Sequence, residues 1–206
     1  MNKLKSVEIA LIFGVVVALL AGRGIAAQQE ELADTMIRLH VIANSDSDRD
    51  QADKLAVRDA VLELVKEYGE QADTVTEMAC ILESHLPELE AAGEAVLRNR
   101  NSAHCVRASV TDCYFPTKDY DGFALPAGEY RALRIVIGEG EGANWWCVAF
   151  PELCVPATAD VFAETAAEAG FSDSLTDTLQ DDGAYEIRFF LLDALGHLEN
   201  ILLASK

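Results

Sequence analysis

The chain has 206 residues, 50% hydrophobic and 25% charged, a globular mixture that suits one domain with terminal segments. Its 16 Lys and Arg stand against 35 Asp and Glu, a formal net charge of −19 at pH 7. A field of that sign repels phosphate backbones and anionic headgroups, which argues against nucleic acid as a partner; the charge reads first as a device for solubility.

Lys3 and Lys5 precede an apolar run from Ile9 to Ala21, closed by Gly22 and Arg23. A core of about 13 residues lies in the signal-peptide range and is short of the roughly 20 that a membrane span needs. Residues 1–26 therefore read as a signal peptide or a membrane anchor, with small residues at Gly24-Ile25-Ala26 for cleavage. The lysines before the core, with no such cluster after it, predict that the rest is translocated. Residues 27–35 are polar and read as a tether.

Met36 to Ala43 is rich in branched apolar residues and predicts a strand. Asn44-Ser45-Asp46-Ser47-Asp48 is a turn that starts a helix, since short polar side chains accept the first free N–H groups. Val57, Val61, Leu64 and Tyr68 set that helix's stripe, Leu55, Leu62 and Val65 widen it, and Gly69 ends it. Thr74 and Glu77 form a capping box for a second helix with a stripe of Val75, Met78, Ala79 and Leu82. Cys80, inside that pattern, reads as a small core residue. Pro87 ends this helix or opens another that carries Leu89, Val96 and Leu97.

From His104 the period changes to two. Val106, Ala108 and Val110 alternate with Arg107, Ser109 and Thr111 in a half-buried strand that Pro116 breaks. Asp121-Gly122 and Pro126-Ala127-Gly128 mark turns. Tyr130 to Ile137 is a second strand of this group, and Trp145 to Phe150 a third, closed by Pro151. Residues 157–183 carry acids and no Lys or Arg, and read as an acidic linker. Residues 184–206 form an apolar C-terminal amphipathic segment, with strand and helix both open for 185–191. Together these elements predict an α+β domain over residues 36–156, a mainly antiparallel sheet packed against two or three helices.

The candidate chemistry is thin. Asp46-x-Asp48-x-Asp50 invites calcium, but a calcium loop needs Gly at its sixth position and Glu at its twelfth, where Gln51 and Val57 stand. Gly138-Glu139-Gly140-Glu141-Gly142 has glutamates that would repel phosphate and no helix after it; a flexible turn or a close backbone approach fits better. A cysteine–histidine catalyst from Cys105 with His40, His104 or His197 has no supporting signature. A zinc site lacks short paired spacings. No catalytic residue, metal or cofactor is expected. The five cysteines are an odd number; Cys147 and Cys154 flank Pro151, which can turn the chain back, and are the candidate disulfide pair. Trp145 and Trp146, the only tryptophans, fall on opposite faces of their strand, so one can be core while the other faces away.

Two blocks carry a family resemblance: IRLHVIANSDSDRDQADKLAVRDAVL from Ile37 to Leu62, and LPAGEYRALRIVIGEGEGANWWCVAFPELC from Leu125 to Cys154. Over Ile37 to Val155, in order and after an export leader, the chain resembles stage II sporulation protein R of endospore-forming bacteria. The resemblance implies a signalling protein and not an enzyme. It would be made in the forespore, exported into the space between forespore and mother cell, and would trigger the membrane-embedded aspartic protease stage II sporulation protein GA. That protease would then process pro-sigma factor E. Candidate contacts are Trp145, Trp146, Glu139, Glu141 and Asn144. A cell-envelope hydrolase of the cysteine type is the alternative, and a structural envelope protein a third reading.

Overall fold

The computed structural model describes residue 13 and residues 32–120 and 123–151. The leader, the acidic linker, the C-terminal segment and Cys154 lie outside the described residues, Phe13 excepted. Among the described residues no helix is long and apolar enough to cross a membrane.

β1 (Ile37–Ile42) leads into α1 (Asp48–Gly69), α2 (Val75–Ser84) and α3 (Leu86–Asn99). β2 (Val106–Phe115), a short hairpin of β3 (Lys118–Tyr120) and β4 (Phe123–Leu125), β5 (Gly128–Ile137) and β6 (Asn144–Phe150) follow. The main sheet runs β2-β5-β1-β6. β1 pairs with β5 in parallel and with β6 antiparallel, and β2 pairs with β5 antiparallel. The sheet is therefore mixed. The expectation of a mainly antiparallel sheet missed the β1–β5 pair, which three helices and β2 separate along the chain.

Local chemistry explains the helix boundaries. The Ser47 hydroxyl accepts from the Asp50 N–H at 3.1 Å and caps α1. The Thr74–Glu77 capping box forms as expected, with Glu77 N–H to Thr74 Oγ1 and Thr74 N–H to Glu77 Oε2 both at 3.2 Å. Pro87 opens α3, where its missing N–H costs nothing. That helix ends on Asn101 at φ +57°, while Ser102 N–H donates to Leu97 O at 2.9 Å.

The core lies between the three helices and one face of the sheet. Ile37, Leu39 and Val41 of β1 and Leu133, Ile135 and Ile137 of β5 meet Val57, Val61, Val65 and Tyr68 of α1, with Met78, Leu82, Leu89 and Leu97 closing the layer. The buried stripe of α1 thus runs through Val65, while Leu62 and Leu64 are only partly buried and Leu55 is exposed. Cys80 is exposed as well, a correction to its reading as core: Met78, Ala79 and Leu82 hold the inward face of α2. Leu32, in the segment read as a tether, is buried.

Candidate partner-binding surface

The turn after β1 and the glycine loop after β5 are built against each other. Asn44 accepts from Glu139 N–H through its side-chain oxygen at 3.1 Å, and its amide nitrogen donates to Asp50 Oδ2 at 2.8 Å. Asp46 Oδ1 accepts from Ala143 N–H at 2.6 Å. Backbone bonds join Gly142 N–H to Ala43 O and Glu141 N–H to Asn44 O. Lys54 Nζ donates to Ala143 O at 2.9 Å and to Gln51 Oε1 at 2.7 Å. Burial lowers the Lys54 pKa, and nearby Asp46 opposes that shift.

The glycines answer to this close approach. Gly138 has φ +58°, and a Cβ there would fall on the Asn44 side-chain amide. A Cβ on Gly142 would collide with the Ser45 carbonyl. Asp46 and Asp50, which invited a calcium reading, are consumed in this clamp. Hydrogen bonds from Asn44 and Ser45, ahead of the charge of His104, hold the Asp50 carboxyl below the usual carboxylate range. The clamp holds Glu139 and Glu141 exposed at the tip of the loop, with Asn144 exposed at the start of β6.

The two tryptophans point to opposite sides, as alternation requires. Trp145 is half-buried on the helix side, packed against the core, with the Arg58 guanidinium 4.2 Å from its ring centroid. Trp146 lies on the face away from the helices. It stacks on His40 at 3.8 Å between centroids and 19° between planes, and meets Phe115 edge-on at 4.7 Å. His40 Nε2 is 2.9 Å from Asn144 Oδ1, while its Nδ1 is buried without a hydrogen bond. Burial lowers the His40 pKa; the Asn144 bond opposes this and the Arg134 charge adds to it. Such a histidine is neutral at pH 7.

Arg38, at 0% exposure, lies deeper on the same face. Its guanidinium sits 4.3 Å from the Phe115 centroid and 4.9 Å from that of Tyr130, and its Nε donates to Cys147 O at 3.1 Å. Neither Arg38 nor Arg134 was among the sequence candidates. Their signal was present: both occupy the polar phase of strands whose other phase is the apolar core.

No cysteine–histidine pair assembles among the described residues. His104 faces Asp50 at 3.4 Å and His40 bonds Asn144, while Cys105 Sγ has Arg107 at 3.8 Å. Burial pushes the Cys113 thiol above its ordinary pKa, against thiolate chemistry. Cys80, Cys105 and Cys113 carry free thiols.

The stage II sporulation protein R family model matches residues 33–160, a span that contains every described element. The chain belongs to that family. It is 32% identical over 186 residues to stage II sporulation protein R of Bacillus subtilis (strain 168), covering 81% of this chain and 83% of the relative. No solved structure matches it. Membership makes the chain a sporulation protein. It also identifies the clamped turn and loop, which fall in the two blocks that carried the resemblance, as parts of the family domain.

Proposed function

We propose that this chain is the exported signal of endospore formation that switches on the membrane-embedded aspartic protease, stage II sporulation protein GA, so that pro-sigma factor E is processed. It is made in the forespore and acts in the space between forespore and mother-cell membranes. The observation that carries this reading is the relationship to stage II sporulation protein R over four-fifths of both chains.

The geometry supports recognition over catalysis. The clamp presents Glu139, Glu141 and Asn144 on a braced loop beside Trp146, and bracing lowers the ordering cost of binding. An activator shifts its receptor only by binding the active state more tightly, so the role needs a preformed surface and no nucleophile. A cysteine-type hydrolase needs an oriented base on its thiol, and the histidines His40 and His104 are engaged elsewhere. A Cys147–Cys154 disulfide, which suits an exported protein, belongs to this proposal.

The test is co-expression of this chain with the protease and pro-sigma factor E in a non-sporulating bacterium, with and without residues 1–26. Processing that requires the leader is the expected result. Processing independent of the leader would overturn the outside location, and no processing by a folded, exported chain would overturn the activator role.

A further inference from the structure

We propose that Asn44 and Asp50 are positioning residues for partner recognition: the Asp50 carboxylate orients the Asn44 side chain, and Asn44 in turn sets the glycine loop that presents Glu139 and Glu141. The inference deepens the activator reading and rests on it for the loop's role as a contact.

Glycines at 138, 140 and 142 leave the two glutamates without neighbours that restrict the backbone. Both glutamates nevertheless bond to one residue. The Glu139 N–H donates to Asn44 Oδ1 at 3.1 Å, and the Glu141 N–H donates to Asn44 O at 3.2 Å. The base of the loop is fixed from elsewhere, with Gly138 N–H donating to Cys105 O and Arg107 Nη2 donating to Gly138 O, both at 2.9 Å. Its far end is tied by the Ala143 N–H to Asp46 Oδ1. Asn44 therefore governs the stretch between two anchored ends, and that stretch holds the exposed glutamates.

The Asn44 side chain works in one orientation only. A backbone N–H only donates and a carboxylate only accepts, so the amide oxygen must face Glu139 and the amide nitrogen Asp50. Asn44 Nδ2 donates to Asp50 Oδ2 at 2.8 Å, and Ser45 Oγ donates to the same oxygen at 2.6 Å. Asp50 is the third residue of α1, where an acid ordinarily reaches back to the N-cap N–H. Here the Ser47 N–H donates to Ser45 Oγ at 3.2 Å, and the closest contacts of the carboxylate run to the turn. Asp50 is only 8% exposed, so these charge-assisted bonds are screened less than at an open surface. One amide thus joins the start of a helix to a loop 95 residues further along the chain.

The experiment uses the full chain with two readouts, amide hydrogen exchange and pro-sigma factor E processing at graded expression of the exported protein. Asn44→Ala should speed exchange of the Glu139 N–H at least about tenfold, with the Leu133 N–H unchanged. It should also raise the amount needed for half-maximal processing about tenfold at an unchanged maximal rate, because the loop must then be ordered on binding. Asn44→Asp sets two carboxylates against each other and should do at least as much. The decisive variant exchanges the pair, Asn44→Asp with Asp50→Asn. The carboxylate at 44 still accepts from the Glu139 N–H, and the amide at 50 donates to it, so both readouts should return towards wild type. Should Asn44→Ala not fold, the exchanged pair against Asn44→Asp decides at matched folded amounts. Processing by folded Asn44→Ala at wild-type amounts makes the clamp structural and overturns the inference. Unchanged Glu139 exchange, or an exchanged pair no better than Asn44→Asp alone, overturns it too. In each of these cases the wild type still works, and the activator reading stands. A wild type that fails in processing sinks that reading and this inference with it.

Discussion

The two faces of one sheet do different work. On the helix side, Leu39, Val41, Leu133 and Ile135 are sealed under three helices, and their contribution is burial of apolar area. On the other side, the same strands alternate in Arg38, His40, Tyr130 and Trp146, groups held by ring stacking, cation–π contact and single hydrogen bonds. Loss of a methylene on the first side opens a cavity. Loss of a ring or a charge on the second removes directional contacts. Apolar burial and directional polar contacts therefore alternate one residue apart along each strand.

The comparison is broken most sharply by Leu39→Ala. It should cost about 3 kcal/mol in urea unfolding, the scale of buried leucine truncations; a loss below about 1 kcal/mol would mean the helix side is not the principal core. Gly142→Ala comes next, at about 2 kcal/mol, because the new methyl meets the rigid Ser45 carbonyl and the loop must lift. Unchanged stability there would show that the clamp yields freely. Thr74→Ala, on the helix layer and remote from the proposed surface, should lose about 1 kcal/mol with processing intact. A processing defect at full folded population would sharpen the surface by adding α2 to it.

The smallest effect is a pH dependence. His40 has a folded pKa below its unfolded value near 6.5, so its contribution is fully present above that value. Below it the unfolded state takes up the proton first, and stability falls as pH drops through the folded pKa. His40→Gln should flatten that part of the stability profile; an unaltered slope would assign it to another group. Asp50 acts in a lower window, with stability present above about pH 4 and lost as its depressed folded pKa is crossed.

Much of the fold was legible because periodicity and capping are local. β1, the Thr74–Glu77 box, the period-two run from Val106 and the opposed tryptophans all follow from neighbours within one or two turns. The α1 stripe was too wide at Leu55, which is exposed, and Leu64 packs only at its margin, because several leucines and valines compete there and the fully buried line was settled by packing against β1. The β3–β4 hairpin was read only as its Asp121-Gly122 turn, since three-residue strands carry too little alternation. The parallel β1–β5 pair is a non-local choice that no window of sequence displays. In the site, close backbone approach by the loop was legible from its glycines, but its partner was not. Asn44 and Asp46 looked like helix-start residues, and only the fold shows them also holding Glu139 and Ala143.

The central claim is that this chain acts from outside a membrane on a protease that cuts on the other side. The direct measurement encloses pro-sigma factor E in vesicles bearing the protease with its sensing side outward, and adds the folded chain externally. The expected result is cleavage of the enclosed pro-sequence only when the chain is outside. No cleavage, in vesicles where the Bacillus subtilis relative does trigger it, would contradict the account.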